Sequence, residues 1–236
     1  MAVTLTIAVG SVLLVICGFT WVARREEVAE VQRLLALTVR PIDDVTPGKL
    51  CAVRGRVAGP QKVQDPVTDE PVVHFETRVV RADRGGQLWA QSLGDTVRLD
   101  DGSEDSAIAE LVGAELGVPT DELERTDREP SARMRTLLAA ASVEVPEPHA
   151  SARYALEHRA IRVGDELTLV GVAKRGEDGR VHFTSKHPLF LTPDPLEALQ
   201  DRQRSDLSAM DRMLQIGLAL GIACLLAAVV LGGVLG

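Results

Sequence analysis

Tyr154-Ala-Leu-Glu-His-Arg-Ala-Ile-Arg-Val-Gly-Asp-Glu-Leu-Thr-Leu-Val-Gly171 is the stretch that decides the fold. Strand-forming residues run over Ala152–Val163 and again over Glu166–Lys174, and Gly164-Asp165 between them reads as a tight turn. The second strand alternates Leu167, Leu169 and Gly171, so one face points inward, and a glycine inside a strand predicts a bulge or a close backbone approach at Gly171. Glu157 and Asp165 would be a carboxylate pair if catalytic, but no nucleophile or base accompanies them, so the stretch is read as structural.

Outward from it the same pattern repeats. Gly176-Glu-Asp-Gly179 turns the chain into a strand at Val181–Ser185. Upstream, strands are predicted at Leu50–Val57, Val72–Val80, Leu88–Ser92 and Thr96–Leu99, with Pro66–Pro71 as a loop and Asp100–Asp105 as an acidic turn. Residues 107–148 read as a polar insert holding one helix, Ser131–Ala141. With aromatics at 3%, the core must be built from Val, Leu, Ala and Ile. The reading is a β-rich, barrel-like domain with small helices over 48–193.

Charge placement sets the rest of the organisation. The net charge is −8, which argues against a nucleic-acid partner, and all 26 basic and 34 acidic residues lie within Arg24–Arg212. The uncharged ends, 2–23 and 213–236, are each about 22 residues, roughly 33 Å as helix, and so predict two transmembrane helices. Residues 24–40, with Val28, Val31, Leu34 and Leu35 at helical spacing, and 195–212, opened by Pro195, are expected as juxtamembrane helices. The fold class expected is therefore a membrane protein of α+β type, two transmembrane helices flanking a β-rich, barrel-like soluble domain. Arg24, Arg25, Arg33, Arg40, Arg202, Arg204 and Arg212 flank the spans on the domain side, which by the positive-inside rule favours a cytoplasmic domain on a multi-pass protein of the cell membrane.

Several chemistries lack the residues they need. Cys51 stands alone in the domain, with Cys17 and Cys224 in the apolar ends. His74, His149, His158, His182 and His187 have no paired metal-ligand spacing, and Asp100–Asp105 lacks the regular spacing of a calcium loop. No phosphate loop, nucleophile elbow or zinc-protease motif occurs, so no cofactor is expected. Gly217-Leu-Ala-Leu-Gly221 is a small-xxx-small pattern, by which the second span would pack against the first, through Gly10 or Gly18, or against another copy as a homo-oligomer.

Gly55-Arg56-Val57, Asp65-Pro66-Val67-Thr68-Asp69-Glu70-Pro71, then Tyr154, Glu157, Ile161, Gly164, Asp165, Leu167, Leu169 and Gly171, then Pro188-Leu-Phe-Leu191, occur in one order between the apolar ends. That order resembles the GIDE/MULAN family, whose beside-a-membrane domain is held between two transmembrane helices. The resemblance implies structural roles for Gly55, Pro66, Tyr154, Glu157, Gly164, Asp165 and Gly171. Family members that act as E3 ubiquitin ligases do so through a RING, which needs about eight Cys/His zinc ligands, and this chain has no Cys-x-x-Cys pair. The expected function is a binding or scaffolding module at the bilayer, with the lipid bilayer and an unidentified protein as partners. The alternatives are a component of an E3 ubiquitin-type ligase system, or an accessory subunit of a membrane protease or stomatin-type assembly.

Overall fold

The computed structural model describes residues 11–12, 14–20, 28–29, 31–60, 63–83, 85–184 and 189–235. They divide into two compact units, Thr38–Pro195, and Met1–Leu37 with Leu196–Gly236.

The first unit is built on a five-stranded barrel. Its strands are β1 (Leu50–Ala58), β6 (Thr96–Asp100), β7 (Ala107–Glu110), β11 (Glu166–Arg175) and β12 (Val181–Phe183). β1 pairs antiparallel with β6, β6 with β7, β12 with β11, and β11 with β1 again, while β7 and β12 run parallel. The ring therefore closes without a free edge, a Greek-key barrel of the OB type. β13 (Phe190–Thr192) and β8 (Glu115–Leu116) extend the sheet beyond β11. The alternation of β6 shows why these residues form a barrel wall: Val97 and Leu99 are fully buried between exposed Thr96, Arg98 and Asp100. Leu167–Gly171 of β11 is buried throughout, as a strand with neighbours on every side requires.

A second sheet is inserted into the barrel connections. β4 (His74–Arg81) and β5 (Gly86–Leu93) lie between the first two barrel strands, and β9 (Asp121–Asp127) and β10 (Arg153–Ile161) between the third and fourth. The sheet order is β5-β4-β10-β9. One face carries its own core, in which Val79, Tyr154 and Leu156 pack with Met134 and Leu138 of α1 (Ala132–Ala140). Ser131 caps α1 by accepting a hydrogen bond from the Met134 amide at 3.2 Å, satisfying one otherwise orphaned donor. The short pair β2 (Val63–Gln64) and β3 (Pro71–Val72) brackets the Pro66 loop.

The second unit contains α2 (Leu196–Leu235) and helical residues 14–20 and 31–35. The Gln200 side-chain amide donates toward the carbonyls of Leu34, Leu35 and Leu37 at 3.1, 3.4 and 2.9 Å, where residues 31–35 stop being helical; the Leu34 carbonyl also accepts from the Leu37 amide at 3.1 Å.

Three expectations are corrected. Two transmembrane helices flanking the domain are not found: among the described residues one helix, Leu196–Cys224 within α2, is long and apolar enough to cross a membrane. The other expected span, 2–23, lies mostly outside the described residues. An apolar run shows that a segment avoids water; it does not by itself supply a spanning helix. The described residues form mostly a β-rich domain, with thirteen strands. Second, residues 107–148 are more than a polar insert with one helix, because they include β7, β8 and β9. β7 is an integral barrel strand whose four residues, Ala-Ile-Ala-Glu, were too short and too weakly apolar to register as periodic. Third, the β1–β11 pairing runs past Gly171 without a register shift, so no bulge forms there.

Candidate functional site

A cleft of about 660 Å³ opens where β1 leaves the barrel, lined by Arg54–Gly59, Asp100–Gly102, Val163, Gly164 and Glu166. Three elements meet there for local reasons. Gly55 lets β1 and β6 approach, since a Cβ at that position would lie 2.9 Å from the Asp100 carbonyl oxygen. Gly164, at φ +91°, makes the β10–β11 turn, and the Val57 and Gly164 amides donate to the Asp165 and Val57 carbonyls at 2.8 and 2.9 Å. The Asp165 carboxylate accepts from the Arg162 amide at 2.7 Å and so fixes the same turn.

The charges of the cleft are mostly committed. Arg54 donates from Nε to Glu166 Oε1 at 3.0 Å and from Nη1 to Thr168 Oγ1 at 2.8 Å. The hydrogen bond and charge of Arg54 hold the Glu166 carboxyl below the usual carboxylate range. Asp101 accepts from the Ile42 amide at 2.8 Å and the Ser103 amide at 3.0 Å, and Asp100 from the Gly102 amide at 2.8 Å. Burial pushes the Asp101 carboxyl up, but the Ser103 hydroxyl with the Ile42 and Ser103 amides outweighs it and leaves that carboxyl low. Arg56 is exposed and has no hydrogen-bond or close ion-pair partner among the described residues, although its charge also helps to lower the Glu166 carboxyl. The cleft thus offers one exposed guanidinium without a hydrogen-bond partner among the described residues, beside glycine-exposed main chain, which suits it to hold an anionic or peptide group.

A second polar cluster is closed to solvent. Asp65 is fully buried; its Oδ1 accepts from the Val67 amide and its Oδ2 from Thr68 Oγ1, both at 2.8 Å. His158 Nδ1 lies 2.9 Å from Thr77 Oγ1, and Nε2 lies 2.9 Å from Asp65 Oδ2 but off the line of a good hydrogen bond. The order Thr, His, Asp is that of a nucleophilic triad, yet Thr77 is fully buried and does not line the cleft. The cluster fastens the Pro66 loop to the sheet instead. The Asp65-Pro66 step signals an Asx turn in the sequence; the partner 93 positions away left no sequence trace.

The remaining expected positions separate. Gly55, Gly164 and Asp165 come together at the cleft. Glu157 instead pairs with Arg78 at 3.1 Å on the second sheet, so the two carboxylates have different partners. Tyr154 is buried under α1 with no hydroxyl partner among the described residues, and the Gly171 carbonyl accepts from the Cys51 thiol at 3.7 Å. Pro66 is exposed at the loop tip. Gly217 packs against this chain's own Cys17, whose Sγ would lie 2.8 Å from an added Cβ, and Gly221 is buried. Among the described residues no three of His, Cys, Asp and Glu converge as metal ligands; His187 lies outside them.

No protein-family model matches the chain, and no curated protein matches it. The likeness to the GIDE/MULAN family rests on the residues quoted for it.

Proposed function

We propose that the chain is a membrane-attached binding or scaffolding module whose barrel presents the cleft at Arg56 to a partner carrying an anionic or peptide group. The observation that carries this reading is the exposed Arg56 guanidinium, without a hydrogen-bond partner among the described residues, in an open cleft of a chain that also holds a helix able to cross a membrane. Arg202, Arg204 and Arg212 precede the apolar part of α2, which supports a cytoplasmic barrel. The resemblance to the GIDE/MULAN family supports the same placement beside the bilayer.

The test is a photo-crosslinking residue at position 56 of the full chain in its native membranes, with position 147, exposed and outside the cleft, as control. The expected result is a discrete adduct from position 56 that position 147 does not give. Equal labelling from both, or none from 56, would reject the cleft as the recognition surface.

A further inference from the structure

β5 is an edge strand of the second sheet, and none of its backbone groups bonds to any described residue beyond β4. The two edges of this sheet are built differently. β9, at the far edge, carries charge at Asp121, Glu122, Glu124, Arg125 and Asp127, five of its seven residues, the usual protection against edge pairing. β5, Gly-Gln-Leu-Trp-Ala-Gln-Ser-Leu, carries none in eight residues, and Leu93 is 46% exposed. The edge is open, neutral and partly apolar.

We propose that two copies of this chain pair through β5, antiparallel about a two-fold axis at Gln91, joining two four-stranded sheets into one of eight strands. The register follows from the strand itself. A skipped residue at Leu88 and the turn at Gly94, φ +99°, limit regular pairing to Trp89–Leu93. An axis at Gln91 uses all five of these residues. It sets Trp89 against Leu93 of the second copy twice, on the side of the sheet that Phe75 and Val79 share, and Gln91 against Gln91 between them. An axis at Ala90 draws in Leu88, and one at Ser92 reaches past Gly94. The strand's own pattern also suits a second copy: β5 meets itself with apolar Trp89 and Leu93 opposed and no like charges, whereas β9 against β9 would oppose acidic residues. A two-fold contact closes on itself and leaves the charged β9 edges outermost. Gln91 would lie about 4.5–5.5 Å, Cα to Cα, from its counterpart, within disulfide range.

The experiment uses the full chain in its native membranes, with Cys17, Cys51 and Cys224 replaced by Ala and a single cysteine introduced by Gln91→Cys. Mild oxidation is expected to give at least tenfold more disulfide dimer than Leu123→Cys on β9. In detergent, Gln91→Lys and Gln91→Glu, each with unchanged unfolding midpoint, are expected to be monomers by light scattering, and their mixture to restore a dimer. No excess dimer at position 91, an adduct of another protein's mass, or a dimer that survives Gln91→Lys, as association through α2 would, overturns the proposal.

Discussion

Gly94→Ala tests the packing of the second sheet against a control that the structure supplies. Gly94 (φ +99°) and Gly59 (φ +109°) adopt nearly the same backbone angle, so a Cβ meets similar dihedral strain at both, about 1–2 kcal/mol. Their surroundings differ. A Cβ on Gly59 has nothing within 4 Å, whereas on Gly94 it would lie 2.2 Å from the Val73 carbonyl oxygen and 2.8 Å from the His74 Cα. Both obstacles are backbone, so the loop must move by about an ångström, adding roughly 1–3 kcal/mol. The movement also disturbs the 2.7 Å bond from His74 Nδ1 to the Gly94 carbonyl, a further ~1 kcal/mol. Gly94→Ala should therefore cost about 3–6 kcal/mol and Gly59→Ala about 1–2. Denaturant unfolding of the full chain in detergent measures both. Equal losses would mean that dihedral strain alone operates and that the close approach at Val73 is wrong.

Tyr154→Phe removes a buried hydroxyl without a partner and should be neutral or stabilising by up to about 1 kcal/mol; a loss of 2 kcal/mol would reveal a hydrogen bond there. Asp65→Asn should lose about 3–5 kcal/mol, and a double-mutant cycle with His158→Gln should show more than ~1 kcal/mol of coupling, whereas additive losses would mean that the two do not interact. His74 donates from Nδ1 to Gly94, so its buried, unpartnered Nε2 carries no proton, and burial lowers its pKa. Below about pH 6.5 the unfolded chain binds a proton that the folded chain refuses, so stability falls with pH by up to ~1.4 kcal/mol per unit. His74→Asn keeps the donor and should flatten unfolding free energy between pH 6.5 and 5; an unchanged slope would show that His74 is not the group responsible.

Much of the barrel was legible because strand period and turn chemistry are local. The segment from Tyr154 to Gly171 resolved into β10, a glycine turn and β11 within one or two residues of expectation, and Ser131 announced α1. β7 was not legible, since four residues hold no measurable period and a barrel wall supplies the burial that its composition does not. The apolar ends conveyed length and greasiness but not two spanning helices. At the cleft, Gly55, Gly164 and Asp165 stood out as turn and close-approach residues, while Arg56 could be distinguished from Arg54 only once Glu166 and Thr168 were seen to occupy the latter. Buried pairing of Asp65 with His158 depends on tertiary fit across 93 positions and has no local signature.

Placing a whole second sheet inside the barrel connections has a consequence for how the chain is made. Cys51 meets Gly171, 120 positions later, so β1 leaves the ribosome roughly 6–24 s before its partner at 5–20 residues per second. Until then β1 has β6, itself paired with β7, to pair with but not β11, and closure must await β11 and β12. Long-range pairing of this kind folds slowly and leaves intermediates open to aggregation. The nascent chain therefore spends those seconds as a natural client for chaperones, and its yield in a cell should respond to translation rate more than to the stability of the finished barrel.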